Sequence, residues 1–285
     1  NNFLQAHETL LRSVIEVPRS KRDKARIALA RFYFSHGMGV EALAILKVTE
    51  FNNIAESSKP KFVALKGAAM VLAEKYKRAA RVLGDPRLDR FQDVVLWRAA
   101  AAAKLGDLDS AAEFFKLGEG AIVLLPHPIK GLLANLFTAV ALDVEDLKGA
   151  EKWVTALTEE ADKLPRAQLA DMNYNKGRLA RIQRDIDTAT KAWQSALESG
   201  DTWSASRADL ALVDLGLQQE TMQVDQAIER LERLRYAWRG DALEQDVLKK
   251  LGELYFSKND YRNGLAALRV IVTYYPKEDV AREIA

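Results

Sequence analysis

One pattern recurs seven times along the chain. Each copy has a small residue, a second small residue twelve positions later (sixteen in the sixth copy), and a large apolar residue four positions after that. Two helices can pack closely only where their contact positions carry little side chain, and the large residue then fills the remaining space. A chain with this periodicity is expected to fold as stacked helix pairs. The copies start at Asp23, Pro60, Gln92, Gly131, Ala170, Ser204 and Gln245.

All three positions hold residues of the expected size in every copy. The first small position is Ala30, Gly67, Ala99, Thr138, Gly177, Ala211 and Gly252. The second is Ala42, Ala79, Ala111, Ala150, Ala189, Ala227 and Gly264. The large apolar position is Leu46, Leu83, Phe115, Val154, Trp193, Leu231 and Leu268. Because alanine is common in helices, it is the agreement of all three positions that supports the repeat.

The last copy shows its two helices most clearly. Apolar residues recur at helical spacing on both sides of a turn formed by Lys258, Asn259 and Asp260. Counted from Gln245, positions 4, 7, 8, 11, 20, 24, 27 and 32 are Leu248, Leu251, Gly252, Tyr255, Gly264, Leu268, Ile271 and Pro276.

This arrangement resembles the tetratricopeptide repeat, over about residues 23–278. The resemblance implies an all-α fold, a right-handed superhelical solenoid of antiparallel helix-turn-helix repeats, each with a helix A and a helix B. The repeats also depart from the family pattern. None has Trp at position 4, where Arg26 and Asn173 stand in two copies, and Pro at position 32 is clear only in the last. The repeats are therefore degenerate.

We expect one continuous helical-repeat domain over residues 1–285. Residues 1–18 are predicted to be a partial preceding repeat, and residues 279–285 the start of a further helix. In the sixth repeat, four extra residues equal about one helical turn and lengthen either a helix or the turn at residues 217–223. Because the chain starts without Met and ends inside a predicted helix, we expect a fragment of a longer protein. The repeats are predicted at about 23–59, 60–91, 92–128, 131–165, 170–203, 204–241 and 245–278.

Charge and composition argue against several classes of function. Lys and Arg number 42 and Asp and Glu 40, so the net charge of +2 does not favour a nucleic-acid partner. The most apolar stretch, residues 120–126, is too short for membrane insertion. The chain has no cysteine, which rules out disulfides, thiolate metal sites and a cysteine nucleophile.

Motifs for catalysis are missing from the sequence. The three histidines fall in an end helix, a turn and a linker, and neither HExxH nor a cysteine cluster occurs. We therefore predict no catalytic, cofactor-binding or metal-ligating residues and no enzymatic activity in this chain. The histidines are His7, His36 and His127.

Acidic residues recur in the turns between helix A and helix B. A carboxylate at this place can accept hydrogen bonds from the first backbone N–H groups of the next helix. We predict this capping role for Asp107, Asp146, Asp185 and Asp260.

By the same resemblance, helix A of each repeat lines a concave groove that binds partners. In this chain the middle of the groove is apolar, and cations and amides flank it, which suits an amphipathic helix or an extended peptide with one acidic anchor. We therefore predict a protein-interaction scaffold that binds a partner peptide or helix. The predicted contact residues are Arg31, Phe34, Leu96, Trp97, Asn135, Tyr174, Asn175, Arg178 and Lys249.

Other hypotheses remain open at this point. The apolar groove positions could pack within the chain's own superhelix or against a second copy, which would be self-association. The repeats could also be a regulatory or substrate-recruiting region of a larger enzyme. A repeat protein that binds RNA is less favoured, because such proteins present an orderly base-reading pair in each repeat. The carboxylate clamp of some family members is not reproduced, and Asn175 with Arg178 only partly matches it.

Overall fold

Helix follows helix through the whole described part of the chain. The computed structural model describes residues 2–240, 242–276 and 282, and within these ranges no strand occurs. Contacts group the chain into two compact bodies, residues 1–168 and residues 169–285. We call these the first body and the second body.

A single helix precedes seven helix pairs in the described residues. Helix A of successive pairs is α2 (Arg19–Ser35), α5 (Pro60–Leu72), α7 (Gln92–Lys104), α9 (His127–Asp143), α11 (Arg166–Ile182), α13 (Thr202–Gln218) and α15 (Ala242–Ser257). Helix B is α3 (Gly39–Asn52), α6 (Tyr76–Leu83), α8 (Leu108–Ile122), α10 (Leu147–Glu159), α12 (Ile186–Leu197), α14 (Val224–Ala237) and α16 (Tyr261–Tyr274). The single helix is α1 (Asn2–Glu16), and α4 (Ile54–Ser57) and the 3₁₀ turns Pro86–Leu88 and Ala161–Lys163 lie in linkers. The helix start predicted at residues 279–285 lies outside the described residues, apart from Arg282.

One turn geometry joins helix A to helix B in every pair. The second residue of the turn has a left-handed backbone conformation, with φ between 57° and 86°. The next residue donates its N–H to the carbonyl of the helix A residue five positions earlier. This hydrogen bond satisfies a carbonyl that would otherwise have no partner at the helix end. The left-handed residues are Gly37, Glu74, Gly106, Glu145, Arg184, Glu220 and Asn259.

Helix B then begins at an acidic cap in four of the pairs. The carboxylates of Asp107, Asp146, Asp185 and Asp260 accept hydrogen bonds from backbone N–H groups three residues on, at 3.0 to 3.2 Å. The capping role predicted for these four residues is confirmed.

Small residues meet large ones at the contact between helix A and helix B. A Cβ at Gly67 would lie 2.5 Å from Cδ2 of Leu83, and a Cβ at Gly177 would lie 2.3 Å from Nε1 of Trp193. The second small position is fully buried in every repeat, as the pattern predicts. The first small position is buried in every repeat except the sixth, and this repeated packing is that of an antiparallel helical-repeat solenoid.

The sixth repeat divides its four extra residues between a helix and a turn. In the other repeats helix A ends five residues after the first small position and the turn has three residues. In the sixth repeat α13 continues for seven residues after Ala211, and the turn at residues 219–223 has five. Ala211 is only half-buried, whereas Val213, five residues before the end of α13, is fully buried. Val213 therefore takes the contact position that the sequence pattern assigns to Ala211.

Among the described helices, none combines the length and the apolar character needed to cross a bilayer.

Candidate functional site

A groove in the first body is lined by three successive A helices. It has a volume of about 320 Å³ and takes its walls from α2, α5 and α7, together with the residue before α7. We call it the first-body groove. Its lining residues are Arg31, Phe34, Lys61, Ala64, Leu65, Ala68, Phe91, Asp93, Val94 and Trp97.

Two aromatic rings form part of the apolar lining. The ring centroids of Phe34 and Trp97 are 5.2 Å apart, although α3 to α6 separate their helices in the sequence. Ala64 and Ala68 of α5 line the same groove, and their small side chains leave the space in which these rings meet. Trp97 is only 2% exposed and Phe34 is half-buried, so of the two rings Phe34 is the one that reaches solvent.

Cations stand beside this apolar surface. Arg31 and Lys61 are exposed, and neither side chain makes a hydrogen bond or an ion pair with any described residue. Both also line an adjoining cavity of about 310 Å³, together with Arg90, whose guanidinium lies 5.0 Å from the ring centroid of Phe91. Asp93 is the one carboxylate among the described residues of the groove lining, so cations outnumber anions there.

Two of the predicted contact residues in the first body serve internal packing instead. Leu96 is fully buried, and a Cβ added at Gly118 would lie 2.6 Å from its Cδ2 atom. Asn135 is 4% exposed and donates from Nδ2 to the carbonyl of Gln168 at 2.9 Å. These side chains present almost no surface to a partner.

In the second body, Tyr174 contacts a residue of its own chain. The guanidinium of Arg207 lies 4.2 Å from the ring centroid of Tyr174 and 4.7 Å from that of Trp203. Arg207 also donates to Asp171 at 2.5 Å, and Ser204 donates to the same carboxylate oxygen at 2.8 Å. Tyr174 thus forms one side of a packed network that joins α11 to α13.

The other predicted residues of the second body are buried or half-buried. Asn175 is 3% exposed, so it lies in the interior. Arg178 and Lys249 are half-buried, on α11 and α15. Of the nine predicted residues, the structure brings together Arg31, Phe34 and Trp97 at one groove.

Solved structures share this architecture, although no family model and no curated protein matches the sequence. A tetratricopeptide repeat protein from Parabacteroides merdae superposes with a TM-score of 0.60 over 92% of this chain and 96% of that chain, at 11% identity. The chain has the tetratricopeptide-repeat fold.

Two further structures extend the comparison. The APC/C hetero-tetramer Cut9-Hcn1 gives a TM-score of 0.64 over 99% of this chain and 54% of that chain, at 15% identity. The human IFIT1 dimer with PPP-AAAA gives 0.57 over 99% and 67%, at 16% identity. This chain therefore spans about half the length of the Cut9-Hcn1 chain that it matches. Identities this low establish the tetratricopeptide-repeat fold alone.

Residues that could support other chemistry are dispersed over the tetratricopeptide repeats. His7 forms a hydrogen bond with the hydroxyl of Tyr33 at 2.7 Å, and His36 is the residue that follows α2. His127 begins α9. Within the described ranges, no three His, Asp or Glu side chains lie close enough together to hold a metal ion.

Sequence reasoning missed Phe91 and Arg207. Phe91 precedes α7 and lies outside the helix A positions from which the groove residues were chosen. Arg207 follows Trp203 by four residues on α13, which is a spacing that places both on one helix face. That spacing was the available signal for the network around Tyr174.

Proposed function

We propose that this chain is a protein-interaction scaffold and that it holds a peptide or helix of a partner protein in the first-body groove. One observation carries the proposal: an apolar surface built from three successive A helices lies beside two cations, Arg31 and Lys61, that make no ion pair with any described residue. Binding grooves combine an apolar surface with a few polar groups that fix orientation. The proposed role is binding rather than catalysis.

The lining defines the peptide that would fit. A bulky apolar side chain placed against the half-buried rings of Phe34 and Phe91 loses its contact with water, which is worth about 2 kcal/mol. An Asp or Glu of the same peptide would face Arg31 and Lys61, where opposite charge fixes the register and raises the association rate. We therefore expect an acidic peptide with one large apolar anchor.

A random peptide display library, selected on the full chain, tests this proposal. We expect the selected peptides to pair a large apolar residue with Asp or Glu within one helical turn. Their affinity, measured by fluorescence anisotropy, should fall at least about tenfold in the double variant Arg31→Glu with Lys61→Glu, because reversed charges repel the acidic residue.

A matched control separates the groove from general charge effects. Lys77 on α6 and Lys116 on α8 are also exposed and make no ion pair with a described residue. The double variant Lys77→Glu with Lys116→Glu carries the same change in net charge and should bind the selected peptides normally. Equal affinity in all three proteins would place the binding site outside the first-body groove.

RNA binding is a second candidate function of the same groove. Single-stranded nucleic acid binds where cations accompany exposed aromatic rings, and Arg31, Lys61 and Phe34 are of these types. The human IFIT1 structure with PPP-AAAA shows a protein of the same fold with such a molecule. Asp93 in the lining and a net charge of only +2 favour the peptide.

Salt dependence distinguishes the two candidates. Anisotropy with labelled PPP-AAAA should show weak binding that disappears between 50 and about 200 mM salt, while the selected peptides remain bound. Tight oligonucleotide binding that is lost in Arg31→Glu with Lys61→Glu would favour RNA as the ligand. If the chain recruits substrates for an enzyme elsewhere in the same protein, it would use the groove in the same way.

A further inference from the structure

The enlarged sixth repeat contains a cavity of about 630 Å³ in the second body. It lies between α12, the end of α13 and the five-residue turn at residues 219–223. Gly216, Gln219, Thr221 and Met222 line it, and they belong to the segment where this repeat is four residues longer than the others. The additional residues therefore build one wall of the cavity.

This wall is held by specific contacts. The backbone N–H groups of Thr221 and Met222 both donate to the carbonyl of Gly216, at 2.9 and 3.1 Å. A Cβ at Gly216 would lie 2.9 Å from the Cβ of Met222, so the absence of a side chain there lets the turn fold back onto α13. Met222 is thereby held against the end of the helix, where it faces the cavity.

The cavity lining combines apolar side chains with neutral hydrogen-bonding groups. Leu212 and Leu215 of α13 and Ile186 and Leu197 of α12 supply the apolar part. The rim carries amides and hydroxyls, which can donate to and accept from a peptide backbone. The exposed rim residues are Gln194, Gln219 and Thr221.

The charges of the lining do not balance. Arg230 donates to Asp209, so its positive charge already has a partner. Glu198 is exposed and makes no ion pair with any described residue. The uncompensated charge at the cavity is therefore negative, which is the opposite of the first-body groove.

We propose that this cavity is a second binding site, for a peptide segment that inserts one large apolar side chain and places a Lys or Arg beside Glu198. Charge complementarity selects the basic residue, and the open rim suits a chain segment rather than an enclosed small molecule. The site is separate from the first-body groove and prefers peptides of the opposite charge. The chain would therefore bind two kinds of peptide, one at each site.

Methionine methyl groups offer a direct test. The chain has four methionines, Met38, Met70, Met172 and Met222, and of these Met222 lines the cavity. We would label the methyl groups with ¹³C, assign Met222 with the variant Met222→Leu, and titrate the full chain with acetyl-Gly-Phe-Lys-Gly-amide. The Met222 signal should shift and saturate, while the signals of Met38 and Met70 stay in place.

Matched peptides and variants test the chemistry of the site. Replacing Phe by Ala in the probe should abolish the shift, and replacing Lys by Glu should weaken binding at least about threefold. Glu198→Gln should remove the preference for Lys over Glu, whereas Glu229→Gln, at an exposed carboxylate on α14 outside the cavity lining, should keep it. Gln194→Trp, which fills the cavity from an exposed position, should abolish binding.

Three results would overturn the proposal: a Met222 signal that none of the peptides moves, equal binding of the Lys and Glu probes, or a preference for Lys that survives Glu198→Gln. Because none of these changes touches the first-body groove, a negative result here leaves the proposed scaffold function to its own test.

Discussion

Lys61 in the first body and Asp171 in the second occupy the same position of their repeats, the second residue counted from each repeat start. Lys61 is exposed and makes no ion pair with a described residue. Asp171 accepts hydrogen bonds from Ser204 and Arg207, which both come from the next helix A. The repeat position alone therefore does not make a residue available to a partner. The side chains of the following helix A decide whether the residue at this position stays exposed or forms hydrogen bonds within the chain.

Adding side-chain volume should destabilise the packed contact between helix A and helix B far more than the first-body groove, and this is the largest difference that we expect. Gly177→Leu should lower the free energy of unfolding by about 3 kcal/mol, because a Cβ there lies 2.3 Å from Nε1 of Trp193. Ala64→Leu adds volume to the first-body groove and should change it by less than about 0.5 kcal/mol. Urea denaturation followed by circular dichroism measures both. Equal losses would show that the groove is packed as tightly as the interior.

Removing a cation should have the second largest effect on the free energy of unfolding. Arg207→Met should lower the free energy of unfolding by about 1.5 kcal/mol, because it deprives Asp171 of its ion pair and Tyr174 of a stacked guanidinium. Arg31→Met should leave stability within about 0.5 kcal/mol of the wild type. Thermal melts of the two variants provide the comparison. A larger loss for Arg31→Met would mean that Arg31, not Arg207, is the structural residue.

Turn substitutions should have the same effect in both bodies. Glu74 and Arg184 are left-handed, with φ of 58° and 64°, and a side chain in this conformation costs about 1 kcal/mol relative to glycine. Glu74→Gly and Arg184→Gly should therefore each raise the free energy of unfolding by about 0.5 kcal/mol. Gly37→Ala is the reverse control, and it should lower stability. Opposite signs for the two glycine variants would show that the turns are not equivalent.

Acid sensitivity is the smallest expected difference. The backbone N–H of Thr188 donates to Asp185 and holds the pKa of its carboxyl below the ordinary value of 3.8. A lowered native pKa stabilises the fold above the unfolded pKa, and this contribution is lost as the pH falls through the native value. Asn caps helices as well as Asp does. Asp185→Asn should therefore keep the melting temperature at pH 7 and reduce its fall below pH 4, as measured by differential scanning calorimetry. Identical acid profiles for the two proteins would contradict the capping assignment.

Much of the fold could be predicted because its signals are local. Gly67 facing Leu83 and Gly177 facing Trp193 follow from the steric requirement that one repeat places on its own two helices. The left-handed turns were harder to predict, since only Gly37, Gly106 and Asn259 suit that conformation by residue type. Glu74, Glu145, Arg184 and Glu220 adopt it because the flanking helices pack at fixed positions.

The candidate site could be predicted only in part. Arg31, Phe34 and Trp97 were assigned to one groove by their repeat positions, and the structure does bring them together. Leu96 is adjacent to Trp97 on α7 and was assigned in the same way, yet it packs under Gly118. Both neighbours are buried and only Trp97 reaches the groove lining, which the repeat positions alone did not predict because burial depends on the helices on either side.

The sequence by itself determined that the chain forms helix pairs and which small and large residues meet within each pair, because these are contacts over short separations and repeat at a fixed spacing. The tertiary structure alone decided that Lys61 stays open while Asp171 is bonded, and that the four extra residues of the sixth repeat divide between a helix and a turn. Those outcomes depend on side chains from neighbouring helices. No local sequence pattern predicts how closely these helices approach one another.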